Sequence, residues 1–268
     1  MGPMDSPLRR LRPKKEFGQH FLVAPHAIRS IVAETLASPA QRLLEIGPGP
    51  GVLTEPLLES GRPLWAAELD AEACALLEER FGPDPNFHLL AGDAVQVSFP
   101  EGGPWAVVGN LPYNAATAIL TRFLLEPIPW ERMVFMFQLE VGQKLMGTPG
   151  EKQYGPLSVL AQLTAKMTRL LKLGPGAFSP PPKVDSIVLR FDPRPDGMAI
   201  HQRGAFLAFL HAAFVHRRKT LVNNLRGRLT AEEGRAMLQA HDLSPDIRAE
   251  ALAPAVLLDL FGRIQGLH

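Results

Sequence analysis

Asn110, Leu111, Pro112 and Tyr113 put an amide, a backbone carbonyl, a rigid turn residue and an aromatic ring into four consecutive positions. Such a set can grip a planar base that carries an exocyclic amine. Two oxygens accept its N–H groups while the ring lies on its face. An ordinary strand-to-helix turn, which Asn and Pro both favour, accounts for the same four residues, so their neighbours must decide. The apolar run Trp105-Ala106-Val107-Val108-Gly109 precedes them, and a helical stretch from Ala115 to Leu125 follows. A run of this kind bounded by glycine and proline reads as a buried strand, which places the tetrapeptide at the strand's carboxyl end. That edge is where open α/β sheets bind their ligands.

A second cluster lies upstream. Glu45-Ile46-Gly47-Pro48-Gly49-Pro50-Gly51 follows an apolar run and opens a helix, and glycines there let the backbone approach a ligand where a Cβ would collide. A dinucleotide fingerprint, G-x-G-x-x-G, would need its third glycine at Val52, so a dehydrogenase is disfavoured. A G-x-G-x-G loop with an acidic residue before it suits S-adenosylmethionine better, because that molecule has no pyrophosphate to seat on a helix N-terminus. Glu68 closes the next strand-like run, where an acid can accept from ribose hydroxyls, and Asp93 closes the third, where a carboxylate can accept from an adenine amine. Either acid alone reads equally as a helix cap or a surface carboxylate. Together with Asn110 they mark the ends of successive strands along one pocket edge.

The elements that must position these residues alternate. Strands are expected at Arg42–Gly47, Leu64–Leu69, Phe87–Leu90, Trp105–Gly109 and Arg132–Phe137. Helices are expected at His26–Leu36, Gly51–Glu59, Ala71–Phe81 and Ala115–Leu125. This βαβ alternation predicts a parallel, doubly wound sheet. After a helix at Ser158–Ala165, the runs Met167–Leu173 and Val184–Phe191 are separated by the Gly/Pro-rich turn 174–182 and are expected to form an antiparallel hairpin at the sheet edge. The fold class is therefore α/β: the Rossmann-like methyltransferase variant, with a mostly parallel seven-stranded sheet. Beyond Asp192–Gly197 only helical patterns remain (205–216, 220–229, 231–240, 249–264). The expected organisation is a flexible tail at 1–13, a main domain at 14–194 and a small all-helical domain at 195–268.

Composition fits this plan. A chain of 268 residues with 46% hydrophobic residues can fill a large core. No apolar stretch is long enough to span a bilayer, and the basic start, Met1–Arg12, lacks the apolar run of a secretory signal. The single cysteine, Cys74, in a helical pattern, points to a reducing cytoplasm. Net charge is only +1, yet residues 45–101 lean acidic while Arg9, Arg10, Arg12, Lys14, Lys15 and the segment 217–228 are basic. That asymmetry suits a polyanion lying across one face. His216-Arg217-Arg218-Lys219 reads either as phosphate contacts or as a solvated turn.

Taken in order, the motifs resemble the rRNA adenine N6,N6-dimethyltransferase family, the enzymes linked to kasugamycin sensitivity. The resemblance runs from about Lys14 to the C-terminal helices. It rests on Phe17-Gly18-Gln19-His20-Phe21-Leu22, residues 45–54, Glu68-Leu69-Asp70, Gly92-Asp93-Ala94, Asn110-Leu111-Pro112-Tyr113, residues 178–186 (Phe178 to Ser186) and Arg217-Arg218-Lys219-Thr220-Leu221. His20 stands where many members have Asn, and Asn114-Ala115-Ala116-Thr117 replaces a more usual Asn-Ile-Ser/Thr. The resemblance implies that S-adenosylmethionine is held by His20, Leu22, Gly47, Gly49, Glu68, Asp93, Ala94 and Asn110. It implies a catalytic set of Asn110, Leu111, Pro112, Tyr113 and Phe178, with Tyr113 and Phe178 facing the base from opposite sides. RNA contacts fall to Lys14, Lys15, Lys183, Arg217, Arg218 and Lys219, and no metal is called for. The implied substrate is small-subunit rRNA or an immature small ribosomal subunit, with two adjacent adenines near the 3′ end of 16S rRNA dimethylated. The implied enzyme is a cytoplasmic monomer with no membrane partner. A large-subunit rRNA adenine methyltransferase of the macrolide-resistance type and a non-catalytic ribosome-assembly factor share many of these features.

Overall fold

The computed structural model describes residue 11 and residues 19–266. Lys14, Lys15, Phe17, Gly18 and the expected tail lie outside the described residues, apart from Leu11. In chain order the elements are β1 (Phe21–Leu22), α1 (Pro25–Leu36), β2 (Arg42–Ile46), α2 (Thr54–Leu58), β3 (Leu64–Glu68), α3 (Ala71–Phe81), β4 (Phe87–Ala91), β5 (Trp105–Asn110), α4 (Ala116–Leu125) and β6 (Trp130–Gln138). They continue with α5 (Leu139–Leu145), α6 (Pro156–Thr164), β7 (Ala165–Leu173), β8 (Phe178–Ser179), β9 (Ser186–Pro193), α7 (Ile200–Phe214), α8 (Leu221–Asn224), α9 (Ala231–Gln239) and α10 (Pro254–Gly266).

Seven strands form one sheet in the order β4-β3-β2-β5-β6-β9-β7. β2 runs parallel to β3 and to β5, β3 to β4, and β5 to β6. β9 is antiparallel to β6, with Ser186 opposite Gln138 and Phe191 opposite Met133. β9 is thus inserted between β6 and the outermost strand β7. The central strands are buried almost throughout (Leu43 to Ile46, Trp105 to Gly109), as expected of strands covered on both faces. One apolar cluster joins Ile31 and Val32 of α1, Leu57 of α2, Leu77 of α3, strand residues Leu43, Leu64, Ala106 and Val134, and Leu22 and Phe178.

β1 and β8 form a separate two-stranded ladder, with Phe21 opposite Ser179 and Leu22 opposite Phe178. Val23 N donates to Ala177 O at 2.8 Å, extending the clasp.

The chain divides into two compact units. The first comprises the chain up to Phe123, Pro127–Gly142 and Met167–Pro193, and holds the sheet. The second comprises Leu124–Glu126, Gln143–Lys166 and the chain from Arg194. The sequence boundary at 194/195 lacks residues 143–166, which the sequence reading leaves with the first domain. The second unit has its own aromatic centre, with Phe206 and Phe209 against Phe261. Within it the Tyr154 hydroxyl donates to Leu252 O at 2.8 Å. Two expected helices are shorter than their patterns. Residues 47–53 are loop and turn before α2, and α8 stops at Asn224 ahead of Gly227, which takes a φ of +93°.

Candidate functional site

At the carboxyl ends of β2, β3, β4 and β5 lies a cavity of about 250 Å³. It is lined by Gln19, His20, Phe21, Gly47, Gly49, Glu68, Leu69, Asp93, Val95 and the run from Asn110 to Ala115. The structure therefore brings His20, Gly47, Gly49, Glu68, Asp93, Asn110, Leu111, Pro112 and Tyr113 to one place, although they are spread over more than ninety positions of chain.

The loop after β2 is shaped by backbone geometry. Gly49 has φ +55°, and a Cβ there would sit 3.1 Å from the Phe21 ring. Gly51 has φ +83°, and its Cβ would meet Phe81 at 2.6 Å. Glu68 braces this loop: Oε2 accepts from Gly49 N at 2.9 Å, and Oε1 accepts from Leu69 N and Asp70 N, each at 2.9 Å. A carboxylate has about four acceptor positions, so one remains for a ligand hydroxyl. Burial pushes the Glu68 carboxyl above its ordinary range, while the three N–H bonds pull the other way. Glu45 lies beneath, 1% exposed, accepting from Thr54 Oγ1 at 2.7 Å. Burial pushes its carboxyl up to about 8.

Asp93 Oδ1 accepts from Val95 N at 2.8 Å, making a tight turn that leaves the second oxygen outside it. Arg122 of α4 holds that turn from behind, donating from Nη1 to Ala94 O at 2.7 Å and Val97 O at 2.8 Å. Its guanidinium also lies 4.5 Å from the Phe99 ring centre.

Asn110 is oriented by its partner. Nδ2 donates to His20 O at 2.8 Å, and because a carbonyl can only accept, the amide nitrogen is fixed on that side. Oδ1 is consequently presented as an acceptor by a residue that lines the cavity. His20 is held in turn, its Nδ1–H donating to Pro180 O at 2.8 Å, and its ring lies 5.5 Å from the Tyr113 ring. Tyr113 shares a 2.7 Å hydrogen bond with Ser186 Oγ.

Three expected site residues are not among those lining the cavity. Leu22 is fully buried, Ala94 is buried with its carbonyl on Arg122, and Phe178 is 4% exposed within the apolar cluster. Phe178 pairs opposite Leu22 in the β1–β8 ladder, and both side chains belong to the apolar cluster. Gln19, Phe21, Leu69, Val95, Asn114 and Ala115 also line the cavity without having been given a site role. Leu69 had a readable signal, standing between Glu68 and Asp70 in a quoted motif.

Of the expected RNA-contacting residues, Lys183 is exposed in the first unit, and Arg217, Arg218 and Lys219 are exposed in the second. Arg217 is nonetheless engaged: Nε pairs with Glu250 Oε2 at 2.7 Å, and its terminal nitrogens donate to Lys152 O and Glu151 O at 2.5 and 3.2 Å. No helix among the described residues is long and apolar enough to cross a membrane.

Residues 10–266 match the model of the family described as ribosomal RNA adenine dimethylase. The chain is 39% identical over 253 residues to ribosomal RNA small subunit methyltransferase A of Synechococcus elongatus, covering 90% of this chain and 91% of the relative. It is 39% identical over 267 residues to the protein of the same name from Pseudomonas aeruginosa, covering 98% of each. Among solved structures, a dimethyladenosine transferase from Plasmodium falciparum superposes with a TM-score of 0.73 at 21% identity, over 92% of this chain and 98% of that one, a likeness of fold.

Proposed function

Because this chain belongs to the ribosomal RNA adenine dimethylase family, we propose that it transfers methyl groups from S-adenosylmethionine to N6 of two adjacent adenosines near the 3′ end of 16S rRNA, dimethylating each during small-subunit biogenesis. The observation that carries this reading is the Asn110 amide, whose nitrogen is committed to His20 O and whose oxygen is left to accept at the cavity edge.

The donor set fits the methyl donor. Gly47 and Gly49 offer bare backbone, Glu68 keeps one acceptor position for a ribose hydroxyl, and the free oxygen of Asp93 can accept an adenine amine. When bound, S-adenosylmethionine supplies an electrophilic methyl group on a sulfonium. The chain's own residues supply position. Asn110 Oδ1 and the Leu111 carbonyl accept the two N6 hydrogens of the target adenine, which draws the nitrogen lone pair out of conjugation with the ring and turns it toward the methyl. Tyr113 stacks on the base, an interaction of roughly 1–3 kcal/mol, and helps hold a nucleotide withdrawn from its helix. No strong base is needed, since the methylated amine is acidic and gives its proton to water. Rate comes from alignment and from acceptors fixed before the reaction.

Phe178 is buried in the β1–β8 clasp, whose first strand follows His20 in the chain, and the stacking role is proposed for Tyr113. Arg217 is held by Glu250 and two carbonyls, so among the described residues of the expected set Arg218, Lys219 and Lys183 are proposed to meet phosphates, with Lys14 and Lys15 proposed for the same role outside the described residues. The setting this reading implies is a cytoplasmic monomer acting on an immature small subunit. Incubation with labelled S-adenosylmethionine and undermethylated small subunits should yield N6,N6-dimethyladenosine. A protein that binds the cofactor yet yields none would overturn the reading.

A further inference from the structure

Ser186 opens β9 and is fully buried, ahead of Ile187, Val188 and Leu189, which are buried too. A hydroxyl in that position costs desolvation unless it finds a partner, and its partner is the Tyr113 phenol at 2.7 Å. Alanine would fill the same place in the strand at no polar cost, so the serine is spent on the tyrosine. Its backbone is rigidly placed: Ser186 lies opposite Gln138 of β6, and the preceding carbonyl, Asp185 O, accepts from Leu139 N at 2.8 Å.

We propose that Ser186 is a positioning residue whose hydroxyl fixes the position of the Tyr113 ring against which the target base stacks. A tyrosine beside a cavity can turn about two side-chain bonds. The Ser186 bond anchors the far end of the ring, and the His20 ring stands 5.5 Å away at an angle of 32°. His20 is itself tied to Pro180 O, so the ring is bounded by two elements that do not depend on the base being present. A stacking surface held in this way is pre-organised, and the ordering entropy of the ring is not charged to RNA binding. Ser186 acts through Tyr113 and has no contact with reacting atoms. The inference rests on the reading of Tyr113 as the base-stacking residue.

The test is a cycle of Ser186→Ala, Tyr113→Phe and the double variant, assayed on undermethylated small subunits at saturating S-adenosylmethionine. Cofactor affinity is measured by calorimetry. Loss of one such hydrogen bond should lower kcat/KM for the RNA by about tenfold in each single variant. The double variant should be within about twofold of either single one, because both remove the same bond. Cofactor affinity should stay within about twofold of the parent, which a general disturbance of the fold would not allow. The chain has two tyrosines, so protein labelled with 13C at tyrosine Cζ gives two signals, and Tyr113→Phe assigns them. The Tyr113 phenol should ionise at higher pH after Ser186→Ala, since the serine bond lowers its pKa against the upward push of burial. Parent-like activity in Ser186→Ala, losses that multiply in the double variant, an unchanged titration, or a parallel loss of cofactor binding would each overturn the proposal. If the parent protein itself made no dimethyladenosine, the proposed function would fail instead, while the tyrosine titration would still report on the bond.

Discussion

At their amino ends β2, β3 and β5 bring Arg42, Trp65 and Trp105 together, whereas at their carboxyl ends the same strands carry Gly47, Glu68 and Asn110. The Arg42 guanidinium lies 4.3 Å from the Trp65 ring and 4.0 Å from the Trp105 ring, and donates to Glu101 O at 2.9 Å. The two indoles meet edge to face at 5.1 Å, and His88 stacks on Trp65 at 4.5 Å. Here the polar and aromatic groups are used up on one another. At the other edge, one acceptor position of Glu68, one oxygen of Asp93 and Asn110 Oδ1 are held in place by bonds that leave them for something else. The difference is between an edge whose groups pair with one another and an edge that keeps acceptors at a cavity, and burial alone does not distinguish them: Glu68 and Trp105 are both buried.

The comparison can be broken from either side. Trp105→Ala removes a fully buried ring from the closed edge and should cost about 3–5 kcal/mol of stability. Calorimetric melting measures the loss, and turnover per folded molecule should be unchanged. Asn110→Ala at the open edge should do the reverse. Loss of a pre-organised acceptor should cut kcat by about 10²–10³-fold at saturating cofactor, with melting little altered; full methylation by this variant would remove Asn110 from the mechanism.

The next effect is pH-dependent. The folded carboxyl of Glu45 is raised from an ordinary 4.5 to about 8 by burial. Its stabilising contribution is therefore fully present below the unfolded value and is lost as pH rises through the folded one. The parent should lose on the order of 1–3 kcal/mol between pH 6 and 8, and Glu45→Gln, which keeps the shape without the charge, should show a flatter melting profile over that window. Smallest is Gly49→Ala. Its left-handed backbone penalises a side chain by roughly 1–2 kcal/mol, so cofactor binding should weaken about tenfold by titration, with little change in the affinity for RNA.

What the sequence made readable follows the range of the interactions. Glu68, Asp93 and Asn110 could be placed because each closes an apolar run, and a strand's end is a local property of the chain. α3 was legible from its apolar spacing and is capped by Asp70, whose side chain accepts from Glu72 N at 3.0 Å. α5 was not legible: it has seven residues with Gly142 inside, too short for a periodic pattern, and Gly142 is there because a Cβ would meet Ile187 at 2.2 Å. The β1–β8 clasp joins two-residue strands distant in sequence, and its Phe178 belongs to the apolar core. The bond between Tyr113 and Ser186 was equally hidden, since nothing local marks a serine in an apolar strand as a partner for a ring 73 residues away.

The most direct test of the claim that the open edge is the methyl-transfer site is a crystal structure of the protein with S-adenosylhomocysteine and an adenosine nucleotide. The account predicts S-adenosylhomocysteine between Gly47, Glu68 and Asp93, with the target N6 within hydrogen-bonding distance of Asn110 Oδ1 and the Leu111 carbonyl. A base stacked elsewhere, with its N6 out of reach of both Asn110 Oδ1 and the Leu111 carbonyl, would contradict it.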